Sequence, residues 1–233
     1  MCEYSSMGRP FTASDDQILL AAGKVIARRG PEDFTLAEVA AEIGLSRAAI
    51  ILRFKSTHAL KVTLLTKLVE RFAHALEVLP TTPSGNNVLK LAAFIGGYVG
   101  TRDNGARFFA NYYNSNVRDR ELLELERKRG EALQQAISRV MPKVAIDHEA
   151  ALIAFRSHLS GTIMAWISLE EPDARRYMVL RTREWLQLAG IPFDEAVVEE
   201  LAGVESAAPE RRKSAVRTAS PKASRTRRHV ARG

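Results

Sequence analysis

Between Val39 and Lys55, the apolar residues Val39, Ile43, Leu45, Ile50 and Phe54 fall where two short helices could share one core. The second of those helices is left with Arg47, Ala48, Ile51, Leu52 and Lys55 for its outward face. Such a face suits close approach to a polyanion. Arg47 and Lys55 supply cationic donors for phosphate oxygens, and Ala48 is small enough to let a backbone come near.

Other chemistries find little support. There is no phosphate loop of Walker type, no Gly-x-Ser-x-Gly, no His-Glu-x-x-His and no Cys-rich metal spacing. His148 and His158 lie on one helix but on different faces, so a shared metal is not expected. The expectation is a non-enzyme with no catalytic residue, cofactor or metal. An all-α enzyme would need ionisable residues clustered in a cavity, which the sequence does not display.

The elements that must position the face are helical, because strand-like alternation is nearly absent. Ser14 and Gln17 stand at capping-box spacing ahead of a stripe of Ile18, Ala22, Val25 and Ile26, and Gly30-Pro31 stops that helix. Thr35 and Glu38 open a second helix, which Gly44 ends, and Ser46 caps the third. Ser56-Thr57 begins a long fourth helix with Leu60, Leu64, Leu68, Phe72 and Leu76 repeating every fourth residue. After a loop over Thr81 to Asn87, five more helices are expected: Val88 to Val99, Ala106 to Asn114, Arg120 to Met141, His148 to Glu170 and Ala174 to Ala189. A further short helix is expected from Asp194 to Leu201.

The net charge of +7 is unevenly spread. From Ser206 onward there are nine Lys or Arg and one acid, a net of +8, so the preceding residues sum to 7 − 8 = −1. The charge therefore argues nothing for a basic folded body, and any nucleic-acid argument rests on local residues. Residues 204–233, without an aromatic, are expected to form a disordered basic tail that either adds sequence-independent phosphate contacts or is simply solvated. No run of 18 apolar residues occurs and no signal-peptide pattern opens the chain, so a cytoplasmic protein without membrane contact is expected. The lone Cys2 can form no internal disulfide, which suits the same compartment.

The segment from Thr35 to Ile50, read Thr-Leu-Ala-Glu-Val-Ala-Ala-Glu-Ile-Gly-Leu-Ser-Arg-Ala-Ala-Ile and followed by Arg53-Phe54-Lys55-Ser56 and Leu60, resembles the signature of the tetracycline-repressor family. The resemblance runs from about Ser14 to Glu70. It implies an all-α protein: an N-terminal three-helix helix-turn-helix domain, residues 11–71, joined by a long helix to a C-terminal helical bundle, residues 72–203, for dimerisation and ligand binding. It also implies residue roles. Thr35 would hold a phosphate, Ser46 and Arg47 would touch phosphate or base edges, Arg53 would contact phosphate or base, and Thr57 would be another phosphate donor. The sequence departs from the family at Ile51, where an aromatic is common, at Arg53, where His or Tyr is common, and at Thr57, where Lys is common. Ile51 could instead meet a thymine methyl.

In the second domain, Phe94, Tyr98, Phe108, Tyr112, Phe155 and His158 are candidates for lining an apolar ligand pocket, with core packing as the alternative. The helix from His148 is apolar on more than one face, so Leu159, Ile163, Trp166 and Ile167, with Leu180 and Trp185 of the next helix, are candidates for a two-fold dimer interface. The partners expected are a double-stranded DNA operator, a second copy of the chain and a small apolar ligand. The function expected is a dimeric repressor released from its operator by that ligand. The alternative is a DNA-binding regulator or architectural protein without an inducer, controlled by abundance or a protein partner.

Overall fold

Side-chain oxygens set the helix starts of this chain. The computed structural model describes residues 13–100, 115–169 and 171–203. Helix α1 (Asp15–Arg29) carries a complete capping box between Ser14 and Gln17, and α2 (Leu36–Glu42) another between Thr35 and Glu38. Ser46 caps α3 (Arg47–Phe54) through the Ala49 amide, and Ser56 caps α4 (Thr57–Glu77) through the Ala59 amide. The turn between α2 and α3 is closed by the Leu45 amide donating to the Ala40 carbonyl at 2.9 Å, with Gly44 at φ 67°, a conformation that costs glycine little.

The second half comprises α5 (Gly85–Val99), α6 (Arg120–Val140), α7 (His148–Ile167), α8 (Ala174–Leu188) and α9 (Glu195–Ala202). Among the described residues there is no strand. Helix α5 begins at Gly85 rather than at Val88. Ser84 accepts from the Asn87 amide while its own amide donates to the Val140 carbonyl, and a Cβ at Gly85 would lie 2.3 Å from the Pro192 carbonyl oxygen. Close packing against a distant loop therefore overrides a loop-like composition. Helices α7 and α8 stop at Ile167 and Leu188, short of Glu170 and Ala189. The helix expected over Ala106 to Asn114, with Phe108 and Tyr112, and the tail 204–233 lie outside the described residues.

Two apolar clusters share α4. Ile18, Ile26, Val39, Ile50 and Leu60 are buried in the first, which extends to Val69, whereas Phe72 and Leu76 belong to the second with Leu89, Ile137, Phe155, Trp166 and Val179. The fourth-residue stripe of α4 drifts because a helix turns in 3.6 residues: Leu68 is only half-buried, and Leu65 and Val69 complete the inward face. Leu122 of α6 crosses into the first cluster. By length and composition alone α7 could cross a membrane. Its Phe155, Leu159 and Trp166 are instead enclosed by the chain's own second core.

Candidate functional site

The α2–α3 unit presents a firmly backed face. Ile50 is fully buried and Phe54 nearly so, fixing α3 against α1 and α4. Opposite them, Arg47, Ala48 and Leu52 are exposed, Leu52 to 74 %. Arg47 has no ion pair or hydrogen bond to a described residue, so its guanidinium is available to a ligand. The Ser46 oxygen accepts from the Ala49 amide, which leaves its hydroxyl proton to donate outward. Thr57 is the first residue of α4, directly after its cap Ser56.

Other residues in the expected set are partly engaged. Arg53, expected to reach phosphate or base, turns back instead: its guanidinium donates to the Ala13 carbonyl and sits 3.5 Å from Asp15. Lys55, at φ 67°, donates from Nζ to the Leu52 carbonyl at 3.1 Å, satisfying an end-of-helix acceptor. Ile51 is half-buried against the first core. The Thr35 hydroxyl is held by Glu38, and its bond, followed by that of the Thr35 amide, lowers the Glu38 carboxyl below its ordinary range. Arg29 pairs with Glu38 and Arg28 with Glu42, so the cations of α1 are spent on α2.

A partly open cavity of about 170 Å³ lies between α4, α5, α6 and α7. Phe72, Tyr98, Leu159 and Ile163 form its apolar walls. Phe72 and Tyr98 are 4.8 Å apart between ring centroids, and the Tyr98 hydroxyl donates to the Leu68 carbonyl at 3.3 Å. Burial raises the Tyr98 phenol above its ordinary value, so it remains a neutral donor. The polar wall comes from α6. The buried Glu126 lies 2.5 Å from Arg129 and accepts from the buried Asn116 amide at 2.7 Å. Arg156 of α7 closes the rim with its guanidinium above Gly130, where a Cβ would meet it at 2.6 Å.

Of the expected pocket residues, only Tyr98 lines this cavity within the described chain. Phe94 stacks behind it, 6.1 Å from Phe72. Phe155 is wholly buried, and His158 lies on the other side of α7 in an open groove with Trp185, Tyr177 and Arg181. Burial, then the charge of Arg181, holds the His158 imidazole below its ordinary value. The dimer candidates Leu159, Ile163 and Trp166 also need correction: they are buried in this chain's own core, and Leu159 and Ile163 face the cavity. Ile167, Leu180 and Trp185 are half-buried against the same core. The outward face of α7 is instead Ile153, Ser157, Gly161 and Met164, with Leu188 of α8 89 % exposed beside it.

Asn116, Glu126, Arg129, Gly130 and Arg156 escaped the sequence reading. A glycine within the charged helix around Gly130 was the available signal, since an interior helical glycine often marks a close approach.

A two-helix reading unit with an exposed second helix, joined by a long helix to a helical body, defines a helix-turn-helix DNA-binding regulator. Residues 18–61 match the family described as bacterial regulatory proteins, tetR family. A comparison with curated protein sequences finds no match. Solved structures of similar fold include a TetR transcription regulator from Haloarcula marismortui ATCC 43049, at 17 % identity, TM-score 0.62, covering 76 % of this chain and 98 % of that one. A transcriptional regulator from Saccharomonospora viridis in complex with choline is similar at 16 % identity and TM-score 0.63, covering 77 % and 98 %. The regulator FadR from Bacillus subtilis in complex with stearoyl-CoA is similar at 16 % identity and TM-score 0.59, covering 77 % and 100 %.

Proposed function

We propose that this protein is a homodimeric, cytoplasmic repressor that binds a near-palindromic operator and is released from it by a small ligand with an apolar body. The observation that carries the reading is the double attachment of α4: Ser56 and Thr57 stand at its start beside α3, and Phe72 near its other end forms a wall of the cavity. An occupant that favours one position of Phe72 over another biases the setting of α3, provided it binds that state better. Arg47, Ser46 and Ala48 are the residues that would read DNA, with Thr57 as a phosphate donor at a helix start; Thr35 would join it only where a phosphate displaces the Glu38 carboxylate that both its donors now serve. The exposed apolar face of Ile153, Gly161, Met164 and Leu188 would pair with its copy across a two-fold axis, spacing the two recognition helices by about one DNA turn.

The test is binding of the full chain to its own upstream DNA and to scrambled DNA across a salt series, for the wild type, Arg47→Ala and a chain truncated after Val204. A specific complex lost in Arg47→Ala and kept on truncation supports the operator-binding dimer. Equal affinity for both DNAs, abolished by truncation, overturns it and leaves the basic tail as a nonspecific anchor.

A further inference from the structure

The cavity has a size and a charge that together select among ligands, and this deepens, and rests on, its reading as the effector site. Its volume of about 170 Å³ is close to that of a cavity of about 150 Å³ that holds one benzene molecule. Phe72, Tyr98, Leu159 and Ile163 offer such a ring flat and apolar walls. The charges at the polar end do not cancel. Glu126 is matched by Arg129 at 2.5 Å, whereas Arg156 forms no ion pair or hydrogen bond with a described residue. Its guanidinium lies over Gly130 at the rim, next to the exposed Ser160 one turn further along α7.

We propose that the cavity binds a compact aromatic carboxylate, with the single ring between Phe72, Tyr98, Leu159 and Ile163 and the carboxylate on the Arg156 guanidinium and the Ser160 hydroxyl. A planar guanidinium pairs with a carboxylate through two parallel hydrogen bonds, so the anion gains geometry as well as charge. The absence of a side chain at Gly130 gives the guanidinium its place. A cation of similar size meets an excess positive charge, and a long acyl chain would have to run out through the open rim.

The probe is benzoate, titrated calorimetrically into the full chain without DNA, beside benzyl alcohol, choline and stearoyl-CoA. Benzoate is expected to bind at least about tenfold more tightly than benzyl alcohol, the size of one charge-assisted hydrogen bond. Arg156→Gln should bring benzoate to the level of benzyl alcohol without weakening the latter. Gly130→Ala, whose methyl displaces the guanidinium and removes no charge, should weaken benzoate alone. No benzoate binding, equal binding of the two aromatics, discrimination that survives Arg156→Gln, or tighter binding of choline or stearoyl-CoA overturns the proposal. A second titration with operator DNA separates the two readings. Benzoate that binds without releasing DNA sinks the effector role and leaves the ligand class standing; release by another compound, with no benzoate binding, sinks the ligand class alone.

Discussion

The Ser115 hydroxyl donates to the Glu32 carboxylate, 83 residues earlier in the chain. Lys61 of α4 donates to the same Ser115 oxygen at 3.3 Å and lies 3.9 Å from Glu32. The next residue, Asn116, donates to Glu126 at the cavity wall. Two consecutive side chains thus hold the DNA-reading unit on one side and the polar end of the cavity on the other.

Cutting that link should change communication more than either binding event. In Ser115→Ala, the ratio of operator affinities without and with saturating effector should shrink by about 0.5–2 kcal/mol in coupling free energy. Ligand affinity measured without DNA should stay near the wild-type value. Parallel operator and ligand titrations check this, and an unchanged ratio excludes the link as a route.

The two arginines of α3 should fail differently. Arg47→Ala should lose about 1–3 kcal/mol of discrimination between operator and scrambled DNA with little change in melting temperature. Arg53→Ala leaves the Ala13 carbonyl without its donor, so its first effect should be about 1 kcal/mol of lost stability, read by thermal unfolding. If Arg53→Ala melts like the wild type but loses specificity, the inward orientation of Arg53 does not persist on DNA.

The two sides of α7 are separable in the same way. Trp166 is 1 % exposed and donates to the Glu171 carbonyl at 2.8 Å, so Trp166→Ala should cost about 3–5 kcal/mol and lower the melting temperature whatever the oligomeric state. Met164, 50 % exposed, tolerates a charge in the monomer, so Met164→Glu should convert dimer to monomer in sedimentation while the helical signal is retained. A dimer that survives Met164→Glu would place the interface elsewhere.

These contrasts mark how far the sequence could be read. The capping boxes of Ser14 with Gln17 and Thr35 with Glu38 were legible because each is complete within four residues. The start of α5 was not, because Gly85 owes its helical place to Pro192 on a distant loop. Periodicity could find apolar rows on α7 but not choose among them, since Ile153 and Ile163 are equally apolar and only packing puts one outside and the other inside. The tie from Arg53 to Ala13 and the seat of Arg156 over Gly130 each join separate helices, a relationship that spacing along one helix does not encode.

Acid should weaken the fold through His158. Burial and then Arg181 hold its imidazole below the ordinary value of 6.5, so the unfolded chain takes up the proton first. The contribution of His158 is therefore in place above about pH 6.5 and is lost as pH falls through the lower folded-state value. Melting temperatures between pH 7.5 and 5.5 should fall for the wild type and fall less for His158→Gln. Parallel curves for the two proteins would assign the acid sensitivity to other groups.

Leu122 has a consequence for how freely this protein can be recombined. Although it belongs to α6, it is 1 % exposed within the core built by α1 to α4. A chimera that grafts residues 13–71 onto a foreign body would carry a socket shaped for a leucine it no longer owns, a defect of about 2–5 kcal/mol by analogy with leucine truncation. Exchange of the reading head between regulators should succeed only when the opening turns of α6 travel with it, so the transferable part is discontinuous in the chain.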